Sequence, residues 1–217
     1  MPGEPDVKLC KPSAVEFAEF VLRHLPEPPG RVLEVGCGEE GGVTPTLAAA
    51  GYEPLAIDPR APAGRWYRRV TLDELDDSGP FAAAVCGRVL HHVSPLRPAL
   101  DRLASLAPVL VADEFSWDRI DDHARDWYEP RYRQLVAKGH EPPGPPDLDE
   151  WRGRHDHLHV LETLRDELAS RYDERVFEPR PYLYRWLGDG DSEELESTLV
   201  AAGTIRPIGW RYVGERR

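Results

Sequence analysis

Apolar positions along this chain follow two alternating rhythms. Short unbroken apolar runs recur around residues 32–35, 55–57, 81–86 and 109–112, bounded by glycine, proline or acidic residues. Runs of that length and punctuation read as buried strands. Between them apolar residues return every three or four positions. Phe17, Phe20, Val21 and Leu25 share one face of a first helix, which Ser13 and Glu16 open as a capping box and Pro26, Pro28, Pro29 and Gly30 stop. An alanine-rich segment closed by Gly51 follows the first strand. Ser94-Pro95 starts a helix whose face is Leu96, Ala99, Leu100 and Leu103. A weaker strand pattern covers residues 69–72. Strand–helix–strand alternation of this kind predicts an α/β fold with a parallel sheet.

The second half departs from that rhythm. A helix is predicted over 122–138, carrying Trp127, Tyr128, Tyr132 and Leu135, and a loop too rich in proline for regular structure covers 141–147. Trp151 and the run His155-Asp156-His157-Leu158-His159 come next. A further helix then carries Leu161, Leu164, Leu168 and Tyr172. The tail returns to sheet: a sixth strand at 176–178, a helix over 191–202 capped by Asp191 or Ser192 and closed by Gly203, and a last strand in which Ile208, Trp210 and Tyr212 alternate with their neighbours.

Residues 31–59 carry the densest chemistry. The first strand ends at Val35, the chain turns through Gly36-Cys37-Gly38, and the second strand ends on Asp58. Glycine lets backbone N–H groups approach a ligand closely. An acid at the tip of the second strand can accept two hydrogen bonds from the vicinal hydroxyls of a ribose. Gly36, Gly38 and Gly41 also satisfy the G-x-G-x-x-G dinucleotide fingerprint, which is weak when it stands alone. Glu34, two residues before the first glycine, weighs against that alternative.

The motif Glu34-Val35-Gly36-Cys37-Gly38, together with Arg88–Val93 (RVLHHV), resembles the class I S-adenosylmethionine-dependent methyltransferases, in their small-molecule, type 11-like branch. The resemblance is specific over residues 31–115 and architectural beyond. It implies one domain, 1–217, built on a doubly wound, mostly parallel seven-stranded sheet of order 3-2-1-4-5-7-6. A helical insertion after strand five, 116–175, would form a substrate lid. S-adenosylmethionine would be the cofactor, held by Glu34, Gly36, Cys37, Gly38, Asp58, Pro59, Leu72, Asp73, Gly87 and Arg88. His91 would face the methyl acceptor, an oxygen or nitrogen of a small molecule, with Glu114 and Tyr128 as further catalytic candidates. The neighbouring His92 would pack inward. Trp117, Tyr132, His155 and His159 would line the acceptor pocket. The pattern departs from the family in two places: Glu40 stands where a third glycine is usual, which makes the turn one residue longer, and Ala82 replaces the usual Asp after Phe81.

Composition narrows the partners. A formal net charge of −12 argues against a nucleic-acid backbone or an anionic membrane as the main partner. Cys10, Cys37 and Cys86 lie far apart with no C-x-x-C pair, and no apolar run approaches a membrane span. A cytoplasmic protein with reduced thiols is expected. In an extended segment His155, His157 and His159 would share one side and could hold a divalent metal; on a helix they would fan apart, and no metal is expected. An S-adenosylmethionine-binding module without turnover, using the aromatic insertion for a partner, remains the alternative function. The oligomeric state is left open.

Overall fold

Strands covered by helices on both faces must be apolar on both, and alternate residues of each strand here feed two separate cores. The computed structural model describes residues 12–217; Cys10 and the side chain of Ser13, hence the Ser13–Glu16 cap, lie outside the description. Helix α1 (Pro12–His24) leads into β1 (Arg31–Val35), α2 (Thr44–Ala49), β2 (Glu53–Ile57), β3 (Tyr67–Arg68) and β4 (Ala83–Gly87). A 3-10 turn (Leu90–His92), α3 (Leu96–Leu106) and β5 (Val109–Phe115) follow. The sheet has seven strands in the order β3-β2-β1-β4-β5, then β7 (Gly209–Arg216) and β6 (Tyr172–Arg180), which is the predicted 3-2-1-4-5-7-6. The first five are parallel; β7 runs antiparallel to both β5 and β6.

Period-two alternation assigns each strand residue to a face. Leu33, Val35, Ala84, Cys86, Leu110, Ala112, Trp210 and Tyr212 join Leu96, Leu100, Leu103 and Leu106 of α3 in one core. Leu161, Leu164 and Leu168 of α6 (Leu161–Ala169) pack into it as well. Val32, Val85, Val111 and Val213 meet Phe17, Phe20 and Val21 of α1, with Val43 and Leu47, in the other. Burying one such side chain contributes about 1.5–3 kcal/mol, so the amphipathic faces read from sequence are what hold these helices to the sheet. Cys37 and Cys86 are free and buried, as expected of small packing residues.

Tertiary pairing moves several predicted boundaries. The third strand is the short Tyr67–Arg68 paired to Ala56 and Ile57, not residues 69–72, and Leu72 turns into the core instead. Strand β5 runs on through Asp113-Glu114-Phe115 because β7 pairs with it as far as Phe115↔Gly209. Tyr172 does not end a helix: α6 stops at Ala169, and Tyr172 pairs with Arg216 at the start of a nine-residue β6. The last helix, α8 (Gly190–Ala201), is capped by Asp189, which accepts from Ser192 N at 3.2 Å, rather than by Asp191 or Ser192.

The insertion after β5 contains α4 (Asp122–Ala137), capped by Asp121, and α5 (Leu148–Arg154), capped by Asp147. It builds a third core from Phe115, Ile120, Ala124, Tyr128, Leu135 and Leu148. That core is completed by Tyr182, Leu183 and Leu187, at and beside α7 (Tyr184–Leu187), and by Ile208. The insertion therefore ends where β6 begins and borrows part of its core from beyond β6.

One carboxylate holds that borrowed segment in place. Glu196 on α8 is fully buried and accepts from the backbone N–H groups of Tyr182 (2.8 Å), Leu183 (3.0 Å) and Tyr184 (2.7 Å). Glu196→Ala strands three buried donors, each costing on the order of 1–3 kcal/mol. Thermal unfolding of that variant is expected at least about 6 °C below wild type, with Glu196→Gln in between; an unchanged melting temperature would contradict the account.

Candidate active site

The glycine turn is shaped by a buried acid behind it. Glu34, 3% exposed, accepts from Val43 N (2.9 Å) and from the Thr44 hydroxyl (2.6 Å), so both carboxylate oxygens serve the turn that leads into α2. A Cβ at Gly42 would overlap that carboxylate, and one at Gly36 would come within 2.7 Å of Val89 Cβ. Gly36, Gly38, Gly41 and Gly42 all have positive φ, so the longer turn is met with two glycines where the family pattern has one. Glu34 thus braces the turn from behind. Burial pushes its carboxyl up to about 7 against the lowering effect of the Thr44 and Val43 hydrogen bonds.

Asp58 follows β2 with its carboxylate turned to the glycines: Oδ2 accepts from Gly38 N at 3.1 Å and Oδ1 from Arg60 N at 2.8 Å. Gly36 N–H donates to Ile57 O at 2.9 Å, tying the turn to the end of β2. Cys37 is buried against Ala56, Ala61 and Tyr67, and burial raises its thiol to about 12, so it packs rather than reacts. A Cβ at Gly38 would meet nothing within 4 Å, so the turn opens onto free space beside an acid. That is the cradle an adenosyl cofactor needs: backbone at one end and a carboxylate for the ribose hydroxyls at the other. Pro59 is exposed beyond Asp58. Leu72 and Asp73 sit in a turn and not at a strand exit; Leu72 packs into the core, and exposed Asp73 is held below the usual carboxylate range chiefly by the Thr71 hydroxyl.

The exit of β4 forms the opposite wall. Gly87 lies beside Phe17, and Arg88 takes a left-handed φ of 55°, its N–H donating to Asp113 O at 2.7 Å. The next two N–H groups, of Val89 and Leu90, both donate to Glu114 Oε1, at 2.8 and 2.6 Å. Glu114 Oε2 lies 2.6 Å from His91 Nδ1. A carboxylate already accepting two N–H bonds assigns the proton to Nδ1 and leaves Nε2 as the free basic nitrogen. His91 is 3% exposed and Glu114 1%. His92 does not pack inward as predicted: it is exposed, its ring 4.1 Å from that of His91. Burial of part of its ring and the neighbouring His91 lower its basicity. Of the two histidines in the 3-10 turn, the inward one is His91, because Glu114 waits there.

Asp113, on the other face of β5, bridges Arg185 Nη1 (2.9 Å) and Arg211 Nε (3.2 Å). Above it the lid gathers rings. Phe115 stacks on Tyr182 (4.6 Å) and meets His91 (4.7 Å), Trp186 (5.7 Å) and Trp151 (5.9 Å). His155 stacks on Trp151 at 4.1 Å and bonds its carbonyl through Nδ1; His159 Nε2 lies 2.7 Å from Val93 O, and His159 N–H donates to His91 O. Trp117 Nε1 donates to Leu158 O at 3.2 Å. The HDHLH run is thus a turn between α5 and α6, latched onto the 3-10 turn beneath it. Among the described residues no group of three or more His, Cys, Asp or Glu side chains is placed to hold a metal ion. Tyr132 is half-buried on α4, 6.0 Å from Tyr128. Tyr128 is fully buried, its hydroxyl donates to Pro145 O at 2.8 Å, and burial raises its ionisation far above the usual tyrosine value. It is a core residue of the insertion.

Sequence reasoning placed Phe115 only within the stretch 113–117 that follows the fifth strand, and missed Tyr182, Trp186, Arg185 and Glu196. Only the aromatic character of Tyr182 and Trp186 signalled them, and nothing local linked 182–187 to a lid thirty residues earlier.

This fold and this site define a class. The family described as "Methyltransferase domain" matches residues 13–166. The chain belongs to that family, the class I S-adenosylmethionine-dependent methyltransferases, and the choice between the two glycine fingerprints falls to the methyltransferase one. A search of curated proteins finds no match. Several solved structures share the fold at low identity. A candidate S-adenosylmethionine-dependent methyltransferase from Listeria monocytogenes is 14% identical, covering 94% of this chain and 98% of its own, with a TM-score of 0.60. The 1,6-didemethyltoxoflavin-N1-methyltransferase of Burkholderia thailandensis, solved with 1,6-didemethyltoxoflavin and S-adenosylhomocysteine bound, is 16% identical over 97% of this chain and 81% of its own, with a TM-score of 0.59. The N-methyltransferase NodS of Bradyrhizobium japonicum, solved with S-adenosylhomocysteine, is 15% identical over 99% and 93%, with a TM-score of 0.53.

Glu34 makes the turn pH-sensitive in a definite direction. Its folded value, about 7, lies above the ordinary 4.5, so its contribution to stability is fully present below pH 4.5 and is lost as pH rises through 7. Relative to Glu34→Gln, wild type should lose stability between those limits, by on the order of 3 kcal/mol at most. Melting curves of the two proteins that stay parallel from pH 4.5 to 8 would refute this.

Proposed function

We propose that this protein transfers a methyl group from S-adenosylmethionine to an oxygen or nitrogen of a small-molecule acceptor, in the cytoplasm, with His91 as general base. The observation that carries the reading is the His91–Glu114 contact, 2.6 Å, at the carboxyl end of β4 and beside the glycine turn. A methyltransferase that needs only alignment has no use for a buried imidazole oriented by a carboxylate. One whose acceptor must lose a proton does. Two relatives in fold support a small acceptor: one was solved with a small heterocycle bound, the other carries N-methyltransferase in its name. The net charge of −12 favours neither nucleic acid nor an anionic membrane surface, and no described helix is long and apolar enough to cross a membrane.

Each residue then has a task. Asp58 accepts the ribose hydroxyls, and the backbone of Gly36, Cys37 and Gly38 faces the methionine end, with Glu34 holding that turn in shape. Gly87 allows close approach at the end of β4. When bound, the cofactor supplies a sulfonium methyl group, which the acceptor's lone pair takes as the C–S pair returns to sulfur. His91 Nε2 removes the acceptor proton, and Glu114 holds the Nδ1–H tautomer and offsets the imidazolium charge as it forms. His159 latches the lid over the 3-10 turn, Trp117 holds the 155–159 segment through Leu158 O, His155 stacks on Trp151, and the rings of Phe115, Tyr182 and Trp151 exclude water.

Asp58→Ala is expected to weaken S-adenosylhomocysteine binding by about ten-fold to a hundred-fold in calorimetry, the loss of charge-assisted hydrogen bonds. His91→Ala should cut turnover by about 10²–10⁴-fold on an acceptor found by screening metabolites with labelled cofactor, leaving cofactor affinity within about two-fold of wild type. Glu114→Gln should fall between. Full turnover in His91→Ala would place the proton transfer elsewhere. Tight cofactor binding with no acceptor among the metabolites would favour a module without turnover.

A further inference from the structure

Arg88 is the only non-glycine residue with positive φ among those described. The conformation has an identifiable use: it turns the N–H groups of Val89 and Leu90 together onto Glu114, a backbone nest closed around an internal carboxylate. Glycine would satisfy that geometry without strain. The side chain kept there instead has no hydrogen-bond or ion-pair partner among the described residues, and it is exposed. Its setting is specific. Val89, the next residue, packs on Gly36, and His91 is three residues on. The Tyr182 hydroxyl, pushed up to about 12 by burial, feels the charges of Arg88, Arg185, Asp113 and Glu114. Both acids are spent: Asp113 on Arg185 and Arg211, and Glu114 on the nest and His91. Arg88 is left without a carboxylate partner among the described residues, three positions before His91.

We infer that the Arg88 guanidinium binds a ligand carboxylate at this site, carried either by the acceptor or by the methionine end of the cofactor. A guanidinium fork matches a carboxylate in two parallel hydrogen bonds. A strained arginine where glycine would serve is the mark of a side chain retained for binding. The inference rests on the methyltransferase reading of the site and adds the charge its ligand must carry there.

The test compares wild type, Arg88→Gly and Arg88→Lys. Calorimetry measures S-adenosylhomocysteine, 5′-methylthioadenosine (which lacks the amino-acid carboxylate), and a panel of hydroxybenzoates against their methyl esters, with and without S-adenosylhomocysteine present. Arg88→Gly should hold or raise the melting temperature, since it relieves the left-handed strain. If the carboxylate is the cofactor's, Arg88→Gly should lose about ten-fold to a hundred-fold in S-adenosylhomocysteine affinity and nothing for 5′-methylthioadenosine. If it is the acceptor's, S-adenosylhomocysteine affinity should hold, while the wild-type preference for an acid over its ester disappears in Arg88→Gly; Arg88→Lys should restore part of either loss. Two outcomes overturn the inference. One is unchanged S-adenosylhomocysteine binding with no acid preferred to its ester by wild type. The other is an affinity loss that accompanies a lower melting temperature and is not restored by lysine. Wild type that fails to bind S-adenosylhomocysteine overturns the methyltransferase reading, a result distinct from either.

Discussion

Glu114 is the point on which the site depends. An ionised carboxylate buried at the end of a central strand is costly unless its oxygens are filled. Here two consecutive N–H groups fill one oxygen and an imidazole N–H the other. That requirement bends the chain after β4 into its 3-10 turn and sets His91 inward and His92 outward. It also fixes which imidazole nitrogen stays free. The tautomer, the burial and the orientation of His91 all follow from one acid on a neighbouring strand.

The same device recurs twice. Glu34 gathers Val43 N and the Thr44 hydroxyl beneath the glycine turn, and Glu196 gathers three N–H groups at the start of α7. A chain with excess acid places three of its carboxyl groups inside as hydrogen-bond acceptors, each closing a loop that regular secondary structure leaves unsatisfied. The three loops are the glycine turn, the 3-10 turn after β4 and the start of α7. The functional elements are therefore held by local polar closure, while the two apolar cores hold the sheet beneath them.

The lid is joined to the chemistry through the backbone as much as through its rings. His159 donates to Val93 O and to His91 O, and Trp117 donates to Leu158 O, so the turn carrying His91 and the segment 155–159 are tied together. Aromatic residues that composition alone would scatter are brought onto Phe115, the last residue of β5, which lies against both His91 and Tyr182. Asp113, two residues earlier, ties the β6–α8 connection to the sheet through Arg185.

Much of this was legible in the sequence, for a physical reason. Glycine turns, strand tips and amphipathic periods are local, so the order of the sheet, the cradle of Gly36, Gly38 and Asp58, and the helices around Phe17, Leu100 and Leu164 could be read from neighbours along the chain. Tertiary structure alone decided what depends on partners far apart in sequence. Pairing with β7 carried β5 through Glu114 and turned Tyr172 from a helix residue into a strand residue. Glu114, twenty-three residues after His91, chose which of two adjacent histidines is buried. Glu196 and Tyr182 completed a lid whose other half lies before β6. A side chain's role at such a site is set by which groups remain unsatisfied around it, and only the folded chain decides that.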